Sequence, residues 1–321
     1  SRNVLIMGHK NSDLDSFGAS LAAARIVENL GKKANIVIDY ESLEEKTKGV
    51  VEMLRSNPDY KGLMLTISEA LEKANKNTLL ISVDNHKDSL AISRSVLDKV
   101  KNKVIIDHHR RSEEFISSPV LTYLEPSASS TVELLVELFD YQQHEIEISS
   151  LDATIMYTGM LVDTNYFRQH VGTRTFQSAA KLKEAQADLS LAYELLEDSF
   201  ECMKEIFDIT ESAYRYKDKF LIATGKDEEL SRSTLAKAAN QLVYVSGIYA
   251  AFAIGYISKN TVAISARSSK KVNVQMIMEN DALHGGGHFS MAACQIENVT
   301  IEEAKERLEH AIDAYLEDRG V

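Results

Sequence analysis

Short apolar runs separated by helical patterns constrain this chain more than any other feature. Residues 4–7, Val-Leu-Ile-Met, read as a strand, and a helix follows over residues 16–30. Residues 35–38, 79–83 and 104–106 read as three more strands, with helical patterns between or after them. The runs are apolar rather than strictly alternating, so both faces of each strand should be covered. Strands of this kind alternating with helices imply a parallel α/β sheet with helices on both faces. Ligands bind such sheets beyond the carboxyl ends of the strands.

The chain has 321 residues, which at roughly 150 residues per domain implies two domains. Between residues 131 and 216 the pattern turns helical, with helices expected over 129–138, 151–161 and 174–184. Residues 189–216 are long, charged and periodic, and read as a helical connector. A second α/β pattern follows. Residues 220–224 form a strand, 232–242 a helix, and 248–257 a strand that pairs with 261–266 across a Ser-Lys-Asn turn. A last strand at 291–296 and a helix at 301–316 close it. The expected organisation is a catalytic domain over 1–188, a linker over 189–216 and a smaller α/β domain over 217–321.

Hydrophobic residues make up 44% and charged residues 26%, a globular rather than a disordered composition. The net charge of −12 argues against a grip on long DNA or RNA, which needs a broad basic surface. It leaves a small nucleotide open. No run of 18 apolar residues is present, so no membrane contact is expected from this stretch. No signal peptide precedes the first strand, and the chain begins Ser1-Arg2 rather than with Met. It therefore reads as a piece of a longer protein. Cys202 and Cys294 lie far apart and outside any C-x-x-C spacing, as expected of two buried thiols in a reducing cytosol.

The polar residues that carry chemistry cluster at element ends. His9, Asp13 and Asp15 lie between the first strand and the first helix. Taken alone, Asp15 could be no more than a helix cap. The third strand ends in Asp84-Asn85-His86, and the fourth in Asp107-His108-His109. Two adjacent imidazoles after a fully apolar strand are hard to explain as packing. Asp163 ends an apolar helix. Two His and four Asp with no thiolate suit Mn2+ first, with Mg2+, Co2+ or Zn2+ behind it. Six ligands sharing one carboxylate can hold two ions about 3.5–4 Å apart.

With these motifs in order, the chain resembles the DHH phosphoesterases, named for the Asp-His-His found here as Asp107-His108-His109. The resemblance rests on His9-x-x-x-Asp13-x-Asp15, Asp84-x-His86, Asp107-His108-His109 and Asp163, and it spans nearly the whole chain. It implies that His9, Asp13 and Asp84 hold one metal. Asp15, Asp84, His108 and Asp163 would hold the other, with Asp84 bridging. Asp107 would orient an imidazole, and His109 would meet the phosphate or donate a proton.

Leu283-His284-Gly285-Gly286-Gly287-His288 resembles the Gly-Gly-Gly-His motif of the associated DHHA1 substrate domain, and Ser265-Ala266-Arg267-Ser268 resembles another of its segments. The resemblance makes Arg267, Ser268, Gly285, Gly286, Gly287 and His288 substrate-binding residues. Within the family the chain looks most like the carboxyl-terminal part of the GdpP-type cyclic-di-AMP phosphodiesterases. Those carry membrane-spanning, PAS and degenerate GGDEF segments upstream. That implies a cytoplasmic fragment of a membrane-anchored parent. It also implies two divalent ions, a cyclic dinucleotide opened to linear pApA by a metal-activated hydroxide, and leaves a homodimer open. Asn85 departs from the usual second motif and is a candidate for altered substrate preference. The rival enzyme is a nano-RNase or pAp phosphatase with the same two domains, and the non-enzyme rival is a nucleotide-binding sensor.

Overall fold

The apolar runs of the first half assemble into one sheet of six parallel strands. These are β1 (Asn3–Met7), β2 (Lys33–Ile38), β3 (Met64–Thr66), β4 (Thr78–Val83), β5 (Asn102–Asp107) and β6 (Leu121–Leu124). The computed structural model describes residues 3–269 and 271–318. In space the strands run β3-β2-β1-β4-β5-β6. The winding therefore reverses between β1 and β4, and the crevice beyond their carboxyl ends is where such a sheet takes its ligand.

The helices of this part are α1 (Leu14–Asn29), α2 (Glu45–Arg55), α3 (Ile67–Lys73), α4 (Arg94–Lys99), α5 (Thr131–Leu138), α6 (Ser150–Asp163), α7 (Thr173–Glu184) and α8 (Leu189–Glu194). They cover both faces of the sheet. Val4 and Ile6 of β1 join a core with α1, α2, α5 and α6, while Leu5 and Met7 join one with α3 and α4. Strand alternation thus feeds two separate cores from one apolar run.

The chain divides into two compact units, Ser1–Glu197 and Asp198–Val321. The second holds α9 (Phe200–Glu211), α10 (Arg232–Val243), α11 (Val274–Met278) and α12 (Ile301–Glu317). Its strands are β7 (Tyr214–Tyr216), β8 (Phe220–Glu229), β9 (Ala250–Ser258), β10 (Thr261–Ser268), β11 (Gly286–Gly287) and β12 (Met291–Glu297). They form one sheet in the order β11-β12-β10-β9-β8-β7, antiparallel except between β8 and β9.

The expected continuous helix over 189–216 does not form. α8 stops at Glu194, and α9 starts afresh with the Ser199 side chain accepting from Cys202 N. Ser199 is a start signal inside an otherwise periodic stretch. Ile206 and Ile209 of α9 are buried in a core with α10 and β8 to β10, and Tyr214–Tyr216 pairs with β8 as a strand. Among the described residues, no helix is long and apolar enough to cross a membrane.

Candidate metal centre

Each side chain of the candidate centre sits at the end of an element facing the β1–β4 crevice. His9 follows β1, and Asp84 lies one residue beyond β4. Asp107 is the last residue of β5, with His108 and His109 after it, and Asp163 is the last residue of α6. α1 begins two residues earlier than its pattern suggests. Asp13 is its N-cap, accepting from Ser16 N at 2.9 Å, so Asp15 belongs to the first helical turn rather than to the preceding loop. Asp84 has a left-handed backbone, φ 56°, an uncommon state that is found at functional sites.

These ends converge. Ligand atoms of His9, Asp13 and Asp84 lie within 4.8 Å of one another, as do those of Asp15, His108 and Asp163, and those of Asp84, His108 and His109. His9 Nε2 is 3.3 Å from Asp84 Oδ2. His108 Nε2 is 3.6 Å from Asp84 Oδ1 and 3.0 Å from Asp163 Oδ2. Asp84 therefore turns one oxygen toward each imidazole. Both oxygens of Asp15 are held by the first turn of α5, accepting from Thr131 N at 2.8 Å and Val132 N at 3.1 Å.

The electrostatics fit a cationic guest. Burial drives the Asp15 carboxyl well above the usual carboxylate range, and the neighbouring charges of Asp163 and Asp84 push the same way. Burial alone would lower the pKa of His9, yet Asp13 and Asp84 outweigh it and push the imidazole up to about 12. Burial opposes the charge on His108 too, but Asp163, Asp84 and Asp15 raise its pKa well above normal. Crowded carboxylates here load the imidazoles with protons, and a divalent ion is the chemical alternative to those protons. His108 Nε2 is buried and, although 3.0 Å from Asp163 Oδ2, makes no well-aligned hydrogen bond, as suits a nitrogen whose lone pair is meant for a metal. The donor set of imidazole and carboxylate oxygen therefore fits divalent ions.

Asp107 lies between two imidazoles. Its Oδ1 accepts from His109 N at 3.0 Å and sits 2.8 Å from His109 Nδ1, while Oδ2 bonds His86 Nδ1. Burial would raise its pKa, but these partners hold it well below the usual carboxylate range. It thus orients two imidazoles, the buried His86 and His109, whose side chain is 47% exposed.

The second unit brings together only some of the expected substrate residues. Arg267 and the backbone of Gly286 and Gly287 line a cavity of about 360 Å3. Among the described residues Arg267 is held by neutral acceptors: Asn240 Oδ1 at 2.9 Å, Ser265 Oγ at 3.2 Å and Ala266 O at 2.9 Å. Burial without a carboxylate partner depresses its guanidinium to about 10. An anion in the cavity would relieve that penalty. Ser268 does not reach the cavity; it is buried, and its Oγ accepts from Val272 N at 3.4 Å. His288 is exposed, and its N–H donates to Met291 O at 2.6 Å.

The three glycines serve different ends. A Cβ on Gly285 would meet Ala293 O at 2.5 Å, and one on Gly287 would collide with the backbone of Met291 and Ala292. Gly287 also has φ +150°, a backbone state that favours glycine. These two allow close approach to β12. Only Gly286 faces open space.

Residues 3–160 match the DHH family, N-terminal domain, and residues 217–318 match the DHHA1 domain. The chain carries a DHH-family domain followed by a DHHA1 domain. It is 39% identical over 320 residues, 99% of its length, to the cyclic-di-AMP phosphodiesterase GdpP of Bacillus subtilis (strain 168). It is 40% identical over 316 residues, 98% of its length, to the cyclic-di-AMP phosphodiesterase PdeA of Listeria monocytogenes serotype 1/2a (strain 10403S). It covers 48% of each, so it spans about half the length of these curated relatives. The fold is similar to the crystal structure of an exopolyphosphatase-related protein from Bacteroides fragilis, with a TM-score of 0.80 at 19% identity over 98% of this chain and 92% of that one.

Three residues of this DHH chain contribute in ways its motifs do not announce. Thr131 Oγ1 donates to Asp84 Oδ1 at 2.9 Å while its N–H holds Asp15. Nothing local in the sequence links residue 131 to residues 15 and 84. His86 is buried against Asp107, and its Nε2 lies 3.1 Å from Ser112 Oγ. Its place in the Asp84-x-His86 motif marked it without revealing its partner. Asn85, expected to bear on substrate preference, is buried and closes a turn on itself: Nδ2 donates to Lys87 O at 2.9 Å and Oδ1 accepts from Lys87 N at 3.0 Å.

Proposed function

We propose that the chain is a Mn2+-dependent phosphodiesterase that opens cyclic-di-AMP to linear pApA. The observation that carries this is Asp84, whose two oxygens face separate clusters of His and Asp at the sheet's switch point. Likeness over nearly the whole of this chain, though 48% of each relative, to two cyclic-di-AMP phosphodiesterases supports that substrate. In this reading His9, Asp13 and Asp84 hold one ion, and Asp15, Asp84, His108 and Asp163 hold the other. Such a pair lowers the pKa of water and offsets charge on the transferring phosphoryl group.

The chain's own residues do the rest. Asp107, kept anionic, fixes the Nδ1 proton of His109 and leaves Nε2 of that exposed ring for a phosphoryl or leaving-group oxygen. Hydrolysis breaks one P–O3′ bond: the oxygen of water goes to phosphorus, and a proton goes to the departing 3′-oxygen. Arg267 and Gly286 in the DHHA1 unit take a phosphate of the substrate, and His288 stands beside them in the loop. The free thiols Cys202 and Cys294 accord with a cytoplasmic setting.

The test is a panel of cyclic-di-AMP, cyclic-di-GMP, pApA and pAp incubated with Mn2+, with products separated over time. Cyclic-di-AMP should be consumed fastest and pApA should accumulate. Faster loss of pAp or pApA would assign the chain to the nano-RNase and pAp phosphatase type. Tight nucleotide binding with no product would make it a sensor. Asp84→Ala should abolish turnover, and unchanged Mn2+-dependent turnover in that variant would sink the reading.

A further inference from the structure

The cavity in the second unit is a groove with two chemically different ends, and one of them has had no role so far. Its floor is one face of β10 and β12. Ala263, Ser265 and Arg267 alternate onto that face, opposite Gln295, Ala293 and Met291 respectively. Arg232, Leu235 and Ala236 of α10 line it as well. Four residue steps along the strand separate Ala263 from Arg267, a span of roughly 13 Å at about 3.3 Å per residue.

At the Arg267 end stands a partly buried cation whose partners among the described residues are neutral. At the other end Arg232 donates from its guanidinium to Gln295 Oε1 at 3.0 Å. That bond orients the amide, with Oε1 toward Arg232 and Nε2 presented elsewhere as a donor. Between the ends the floor is Ser265 and Ala293, side chains small enough for a sugar ring to lie over, while Ala263 sits at the Gln295 end. An anion site, a stretch of small side chains and an oriented amide, in that order, match the phosphate, sugar and base of one nucleotide.

We propose that Gln295, oriented by Arg232, reads the base edge of an adenine nucleotide whose phosphate is held by Arg267. Adenine offers a hydrogen-bond acceptor beside its amino group, and Gln295 can meet that pair with Nε2 as donor and the Oε1 lone pair that Arg232 leaves unused as acceptor. The Hoogsteen edge of guanine offers two acceptors, which one amide cannot pair. Gln295 is thus a specificity-determining residue, and Arg232 positions it. This rests on the chain acting on nucleotides, as proposed above.

The experiment measures equilibrium binding by calorimetry on the full chain, with AMP, GMP and ribose 5-phosphate as probes and no turnover required. The wild-type chain should prefer AMP to GMP. Gln295→Ala should weaken AMP about tenfold, the factor that follows from losing roughly 1.4 kcal/mol, and leave ribose 5-phosphate unchanged. Arg232→Ala should weaken AMP by a smaller factor, and Arg267→Ala should weaken both ligands. The proposal is overturned if Gln295→Ala binds AMP as the wild type does, if it loses AMP and ribose 5-phosphate equally, or if the wild type binds no AMP. Failure to cleave cyclic-di-AMP alongside Gln295-dependent AMP binding would refute the assigned reaction and leave the groove assignment standing.

Discussion

Gly159 of α6 lies directly on Asp15 of α1: a Cβ at Gly159 would stand 2.9 Å from Asp15 Cα and 2.6 Å from Leu14 O. The two helices meet backbone to backbone, and Asp163, one turn further along α6, arrives beside His108 and Asp15 as a result. Helix packing at one glycine thus sets the spacing of two candidate ligands.

Gly159→Ala should therefore push α6 away from the site. Overpacking of this kind costs about 1–3 kcal/mol, readable as a lower denaturation midpoint. Weaker Mn2+ binding should accompany it, because Asp163 moves with the helix. A variant that loses stability but binds Mn2+ normally would separate the packing from the site.

Thr131→Val keeps the N–H that holds Asp15 and removes the hydroxyl that holds Asp84. Groups that orient metal ligands are typically worth 10–100-fold in affinity. Calorimetric titration with Mn2+ should show a loss in that range, and Thr131→Ser should recover most of it.

Removing metal should destabilise the first unit, where burial and the charges of Asp163 and Asp84 raise the pKa of Asp15, and desolvation with the charges of Asp13 and Asp84 raises that of Asp163. With free Mn2+ at 100 times its dissociation constant, the gain is about 2.7 kcal/mol per site. Thermal unfolding with chelator and with Mn2+ should differ accordingly. Asp84→Ala, lacking the residue shared by two clusters, should show little of that difference.

Asn240→Asp would replace the neutral acceptor on Arg267 Nε with a carboxylate. The guanidinium would then be paired within the protein and less available to a substrate anion. KM should rise about tenfold with kcat nearly unchanged. Asn240→Ala should raise it less, and an unaltered KM in Asn240→Asp would mean that Arg267 does not meet the substrate.

Cys294 is buried in β12, and burial pushes its thiol from 9.0 up to about 12. Below pH 9 both folded and unfolded thiols are protonated and stability is unaffected. Between pH 9 and 12 the unfolded chain releases this proton and the folded chain does not. Stability then falls with rising pH, by up to about 1.4 kcal/mol per pH unit for this group. Urea unfolding over that window should fall less steeply in Cys294→Ala.

Much of this architecture was legible because fully apolar strands leave little choice. β1, β4 and β5 follow from their runs, and the chemistry-bearing residues lie just beyond them. β3 and β6 were not legible. β3 is three residues long, and β6 lies at the sheet edge with Leu121 and Thr122 exposed, so neither carries a buried-strand pattern. The connector was misread because charged periodicity does not distinguish one long helix from two short ones. Only the Ser199 cap marked the break. In the centre itself, residue types revealed the candidate ligands but not the groups that hold them. Thr131 reaches Asp84 across 47 positions, and no window of sequence contains that bond.

The split at Glu197 and Asp198 has a historical consequence. Every candidate ligand lies in the first unit and every groove residue in the second. Selection can therefore redraw the groove while the candidate ligands stay fixed. Descendants that differ only at positions such as 232, 240 and 295 would look alike by their metal-site motifs. Telling such lineages apart requires the half of the chain that holds none of those ligands.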